Sequence, residues 1–358
     1  MACAVAVFAA CWLAGLACRR IVPLPPARQR DRWLDGLRGL AALCVLASHY
    51  GTNVAGSLGF AVTPVFHNLG TFGVQVFFAI TGYLFTRKAI SARGHLAVAP
   101  FLSARLRRIV PMYSVAILLA VALAVLTRPF AGAAHLLRET IALYAFGFVL
   151  EGAPTINGLP YTDVIGTIWT LPFEWLFYLF VPVLAVLVPS WRSLAVTAVV
   201  LAAYYGNRMW DGGAEMFTPF FLPGVLLGLL PNRPPSGVPR RLLAATALAL
   251  ALLAILPGSQ NFTAARLLLM CGFFAAIVFA APDSLAWPGV AMLGDISYSV
   301  YLLHFPALFA ARAVFDSPGV ALFAPWPRTA ALLAVAALVI LLSAVTYRVI
   351  ERPFLRRV

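Results

Sequence analysis

Long uninterrupted apolar runs dominate this sequence, at 2–18, 37–54, 70–86, 109–127, 135–150, 167–188, 192–206, 217–230, 242–256, 266–281, 291–313 and 328–348. About 20 apolar residues in a helix cross a bilayer core of roughly 30 Å. No water reaches the backbone there, so only helices and closed barrels can cross. Barrel strands alternate polar and apolar residues, and these runs do not. The expected fold class is all-α, a polytopic helical membrane protein. Composition agrees: 62% of the 358 residues are hydrophobic and 11% charged, against about 25% charged in a soluble domain. A soluble enzyme, a disordered chain and a collagen-like fibre are excluded. The runs leave no loop able to hold an independent domain of ~50 residues, so function must sit among the helices or in short loops.

The net charge is +14. Its arginines cluster beside the apolar runs, the positive-inside pattern of a membrane protein, which argues against a nucleic-acid partner. Phosphate-bearing ligands fit, because guanidinium suits phosphate well. Cys3, Cys11, Cys18, Cys44 and Cys271 all lie in apolar runs with no Cys-x-x-Cys pair, so neither a disulfide framework nor a metal site is expected.

Three regions follow. Residues 1–20 form an extra hydrophobic segment whose charge, Arg19 and Arg20, comes after the apolar stretch. A secretory signal carries its charge before that stretch, so a retained helix with its N-terminus outside is expected. Residues 21–34 are a basic, Pro-rich cytoplasmic linker, and residues 35–358 the membrane domain. The loops holding Arg28, Arg30 and Arg32, then Arg87 through Arg108, then Arg233, Arg240 and Arg241, should be cytoplasmic. So should the tail with Arg348, Arg352, Arg356 and Arg357. Three runs lie between Arg108 and Arg192, and parity requires an even number of crossings. The run at 135–150, interrupted by His135, Arg138 and Glu139, is the one expected not to cross, with Glu139 and Glu151 both outside.

Ionisable groups are costly inside a membrane and are functional candidates by default. Arg38 and His49 are eleven residues apart, which returns to within about 20° of one helix face and spans about 16 Å along the axis. A cation at one end and an imidazole at the other suit a ligand with a phosphate head and a reactive tail, such as acyl-coenzyme A. Snorkelling by Arg38 and a carbonyl bond at His49 are the bland alternative. Gly73, Thr81, Gly82 and Tyr83 form a small and hydroxyl-bearing run, read as close helix packing. Arg105, Arg107 and Arg108 precede Pro111 and Tyr113. They suit either a positive-inside anchor or a phosphate cradle.

Thr170, Glu174 and Tyr178, with Trp169 beside them, place a carboxylate and two hydroxyls at i, i+4 spacing on one face. The carboxylate needs a partner or a proton. It suits a sugar hydroxyl, the orientation of His49, or a packing network. Ser297, Tyr301 and His304 form a polar stripe at i, i+4, i+7, either an acceptor path or an interhelical seam. Glu351 in Ile350-Glu351-Arg352-Pro353 is read as part of an interfacial helix stop.

These segments, in this order, resemble the membrane acyltransferase family 3, the O-acyltransferases of surface polysaccharides and related acceptors. The likeness rests on Arg38 and His49 with ten residues between them, on the run from Trp169 through Leu171, Glu174, Tyr178 and Leu179 to Pro182, and on Ser297-Tyr298 with Tyr301 and His304. It runs from about Asp35 to Pro353. It implies a core of about ten helices, here with an extra N-terminal helix, in a bacterial inner membrane with a cytoplasmic C-terminus. It also implies acyl-coenzyme A as co-substrate, acetyl-coenzyme A foremost, and a carbohydrate acceptor. Thr81 stands where the family usually has Ser, and no hydrolase-like domain follows the last run.

On that resemblance His49 is the essential histidine, acting as general base, and Arg38 is its partner. Arg38, Arg105 and Arg108 hold coenzyme A phosphates, with Tyr113 at the same mouth. Glu174 orients the histidine or binds the acceptor. Trp169, Tyr178, Ser297, Tyr301 and His304 line the acceptor side. The rival reading is a transporter or flippase with mid-membrane polar groups, although no inverted repeat is visible.

Overall fold

The computed structural model describes residues 2–18, 22, 31–51, 64–148, 155–190, 214–230, 236–259, 261–315 and 325–355. The expected run at 192–206, most of the 21–34 linker, Glu151, Arg233, Arg356 and Arg357 lie outside the described residues.

The chain is an all-α membrane protein. Among the described residues, four helical stretches are long and apolar enough to cross a membrane: Pro64–Ser91, Val98–Thr127, Gly166–Leu187 and Leu333–Leu355. Phe217–Leu229 and Ala264–Ala280 are shorter apolar helices. The first helices are α1 (Ala2–Cys18), α2 (Arg32–Tyr50), α3 (Pro64–Ser91) and α4 (Val98–Thr127). Helix α2 starts at Arg32, inside the stretch read as linker, so Arg38 and His49 share one helix.

Helix α3 is central. It packs on α2, on α7 (Leu171–Leu187) and on α8 (Leu222–Leu229). Between hydrocarbon-like surfaces the hydrophobic drive is weak, and close approach of small residues supplies van der Waals contact instead. A Cβ on Gly73 would lie 2.6 Å from the Ala41 carbonyl oxygen of α2. One on Gly82 would strike the Phe221 carbonyl that leads into α8. The close approach expected at both glycines is therefore present.

Helix α5 (Ala133–Leu143) has only 11 residues. At 1.5 Å per residue it is about 16 Å long, too short for a bilayer core. A small hairpin, β1 (Thr155–Ile156) and β2 (Leu159–Pro160), follows it, and the four-residue α6 (Tyr161–Val164) follows the hairpin. Its Asn157-Gly158 turn takes positive φ at both residues, 50° and 79°, the geometry that favours this dipeptide. Glu139 accepts from Thr155 Oγ1 at 2.6 Å and from the Asn157 amide at 2.7 Å, so the carboxylate staples α5 to the hairpin.

Beyond α8 come α9 (Arg240–Ile255) and α10 (Ala264–Ala280). Thr263 caps α10 by accepting from the Arg266 amide at 3.2 Å. Arg266, hidden in an apolar run, is 2% exposed. Its guanidinium donates to Gln75 Oε1 at 2.8 Å, to Ser259 Oγ at 2.7 Å and to the Ala254 carbonyl. This network ties α10 to α3 and to the end of α9.

The structure corrects two expectations. The run at 291–313 is not one helix. It breaks at Ile296 into α12 (Pro288–Asp295), which follows the four-residue α11 (Asp283–Ala286), and α13 (Ser297–Phe315). Ser297 Oγ donates back to the Gly294 carbonyl at 2.8 Å, giving the backbone a local alternative to the helical ladder. Glu351 is not an interfacial group either. It is 1% exposed and accepts from Ser299 Oγ of α13. After α14 (Pro325–Thr346) the chain widens into a π-helical turn over Tyr347–Glu351, which carries Glu351 inward.

Candidate active site

A cavity of about 130 Å³, partly open to solvent, lies where α2, α3, α4, α7 and α13 meet. Its wall brings together residues far apart in sequence. Helix α2 contributes Arg38, α4 contributes Arg105 and Arg108, and α7 contributes Glu174 and Tyr178. Helix α13 contributes Ser297, Tyr298 and Tyr301. Apolar lining comes chiefly from Phe77, Phe78, Leu84 and Phe85 of α3. Three guanidinium groups face one carboxylate, so the wall is net cationic and complements an anion.

Local geometry explains each placement. Pro172 sits in the first turn of α7, where a missing N–H costs nothing. A 3₁₀ turn, Gly166–Thr170, precedes that helix and swings Thr170 onto the same wall. Tyr178 donates its hydroxyl to Glu174 Oε1, one turn away. The Tyr301 hydroxyl stands 2.8 Å from Thr170 Oγ1 and 3.2 Å from the Thr167 carbonyl, joining α13 to that turn. Tyr298 donates to the Ile109 carbonyl at 3.1 Å, joining α13 to α4. The Arg105 guanidinium lies 5.1 Å over the Phe85 ring, a cation–π contact that holds it flat against the wall.

His49 is not on this wall. It sits a layer behind, with its ring centroid 5.3 Å from that of His304 and 4.5 Å from that of Phe305. His304 in turn lies 6.0 Å from the Tyr301 ring. The two imidazoles and Tyr301 thus lead from α2 into the cavity wall. Trp169 packs on Phe173 and Phe217 rather than on the cavity. Tyr113 is fully buried, stacks on Phe146 and donates to the Leu143 carbonyl at 2.5 Å. That bond pins α4 to the end of α5.

Three polar wall residues, Thr81, Thr170 and Tyr298, were not among the expected site residues. Tyr298 follows Ser297 directly and so falls off the i, i+4, i+7 stripe. It nonetheless precedes Tyr301 by three residues within α13, a spacing that puts both side chains on one face. Among the described residues no group of three or more His, Cys, Asp or Glu side chains could hold a metal.

The acyltransferase domain model matches residues 31–348 of this chain. The exopolysaccharide production protein ExoZ of Rhizobium meliloti is 31% identical over 312 residues, 81% of this chain and 90% of the relative. BcsY of Komagataeibacter xylinus, named provisionally as a membrane-bound transacylase, is 29% identical over 92% of this chain and 83% of its own length. YrhL of Bacillus subtilis, named provisionally as a peptidoglycan O-acetyltransferase, is 26% identical over 78% of this chain. The match spans about half of YrhL, 49% of its length. No solved structure matches.

Proposed function

This chain belongs to the acyltransferase domain family and is an acyltransferase, and from that premise we propose that it moves an acyl group, acetyl foremost, from acyl-coenzyme A to a hydroxyl of a surface carbohydrate. The donor enters from the cytoplasm, and the acceptor is modified at the outer side of a bacterial inner membrane. The C-terminus is cytoplasmic, and about ten helices form the core. The observation that carries this reading is the convergence of Arg38, Arg105, Arg108 and Glu174 on one interhelical cavity.

Arg38, Arg105 and Arg108 bind donor phosphates through charge-assisted hydrogen bonds. Tyr178 fixes one oxygen of Glu174. That carboxylate then accepts from an acceptor hydroxyl or orients the base. Ser297 and Tyr301 line the acceptor side of the cavity, with His304 behind them. His49, set behind that wall, takes the proton of the acceptor hydroxyl, directly or through a relay, as the hydroxyl oxygen bonds to the acyl carbon. The carbon–sulfur bond breaks, and the coenzyme A thiolate leaves and recovers the proton. Tyr113 and Trp169 shape this region by packing. A glycan acceptor is in keeping with the printed names of ExoZ and YrhL.

The test is His49→Ala, assayed on isolated membranes with labelled acetyl-coenzyme A. The variant inserts normally and incorporates no label. Wild-type incorporation by that variant refutes the assignment. Mass spectrometry of surface glycans with and without the gene then identifies donor and acceptor class together, as a mass difference of one acyl group.

A further inference from the structure

His304 is fully buried, and its ring packs in a three-ring cluster with Phe305, 5.0 Å away, and His49, 5.3 Å away, which are themselves 4.5 Å apart. Its Nδ1 lies 3.0 Å from the Val300 carbonyl oxygen. A carbonyl can only accept, so the ring proton sits on Nδ1 and Nε2 keeps a bare lone pair. Among the described residues nothing donates to that Nε2, which is fully enclosed. A buried acceptor left without a donor is unfavourable, and it stands here beside the ring read as the general base.

We propose that His304 is a positioning residue for His49: its bare Nε2 accepts the second N–H that His49 gains on taking the acceptor hydroxyl's proton. This rests on the acyl-transfer reading above. Neutral His49 carries one N–H, and the imidazolium carries two. Of the described rings packed on His49, Phe305 offers no lone pair and His304 offers one. Helix α13 fixes that lone pair in place, because the Val300 bond locks the tautomer one turn back.

The step balances. The acceptor O–H bond breaks as its oxygen bonds to the acyl carbon, and the proton goes to His49. The new N–H of His49 points to His304 Nε2, which shares the charge without taking the proton. As the carbon–sulfur bond breaks, the thiolate collects the proton and His49 becomes neutral again. The arrangement has the logic of a base oriented by a third group, with an imidazole in place of a carboxylate. A neutral partner avoids burying a permanent anion at membrane depth.

His304→Leu and His304→Gln separate this role from simple packing. Leucine fills the apolar space beside Phe305 and has no acceptor. Glutamine offers a side-chain oxygen that can accept in place of Nε2. The assay uses the full-length protein in isolated membranes, radiolabelled acetyl-coenzyme A and the endogenous acceptor. His304→Leu is expected to lower kcat about a hundredfold, with KM for acetyl-coenzyme A within about twofold of wild type. His304→Gln is expected to recover about tenfold of that loss. A Leu variant as active as wild type overturns the proposal, as do equal losses in the two variants. Should the Leu variant fail to insert, added imidazole is expected to restore turnover to His304→Gly, and absence of rescue overturns the proposal. A wild-type protein that incorporates no label overturns the acyl-transfer reading, and this inference with it. Active wild type with an active Leu variant overturns this inference alone.

Discussion

Replacing Arg105 by leucine tests the donor side directly. Arg105 shares the cavity wall with Arg38 and Arg108, and its guanidinium lies 5.1 Å over the Phe85 ring. Leucine keeps apolar contact with Phe85 and removes the charge and its donors. A hydrogen bond to a charged group is worth about 1.5–3 kcal/mol, and each ~1.4 kcal/mol is a factor of ten in affinity. The cavity is partly open, so screening weakens the interaction. The lower part of that range applies, and coenzyme A should bind about 10- to 30-fold more weakly. Arg105→Lys keeps the charge but loses the planar fork and much of the stacking. A cation–π contact of about 0.5–1 kcal/mol sets its loss at roughly 2- to 5-fold. The assay is titration of coenzyme A into purified full-length protein in nanodiscs over a salt series. Wild-type affinity should fall as salt rises, and the Leu variant should respond less steeply. A Leu variant with wild-type affinity at low salt refutes the phosphate-cradle reasoning.

Two further outcomes are expected. Gly224→Ala places a Cβ against the Ala79 carbonyl oxygen and the Tyr83 amide nitrogen of α3. Such overpacking costs about 1–3 kcal/mol, so detergent-solubilised protein should lose monodispersity at a lower temperature than wild type. An unchanged transition shows that α3 and α8 can part without cost. Arg138 is exposed on α5, and Arg138→Cys in a cysteine-free background should react with an impermeant maleimide added outside intact cells. Labelling from the cytoplasmic side alone contradicts the placement of this segment at the outer surface.

Much of the fold was legible because a bilayer leaves few solutions. A run of apolar residues must be a helix, whatever its neighbours do. Helix α4 at Val98–Thr127 therefore contains the whole apolar run at 109–127. The small residues Gly73 and Gly82 announced close packing, although not against which partner. The Asn157-Gly158 hairpin was equally available as a turn dipeptide, but it passed unnoticed between longer apolar runs. The break at Ile296 was not legible. It depends on one serine hydroxyl bonding back to Gly294, a choice that an apolar count does not register.

The site divides the same way. Residue type and spacing singled out Arg38, His49, Arg105, Arg108, Glu174, Ser297, Tyr301 and His304, because charges and hydroxyls are expensive in hydrocarbon and persist there only with a purpose or a partner. Sequence also determined that α2 must carry Arg38 and His49 on nearly one face, since helical period alone sets that relation. Tertiary structure decided which of these groups share a space. It put the arginines of α2 and α4 opposite Glu174 of α7, and set His49 behind the wall against His304 rather than in the cavity. It also drew Glu351 out of the interface and into contact with Ser299. The physical reason is that period and hydropathy are properties of one helix, whereas a cavity is a property of how several helices pack. Packing is settled by side-chain shape and local backbone breaks, to which neither period nor hydropathy is sensitive.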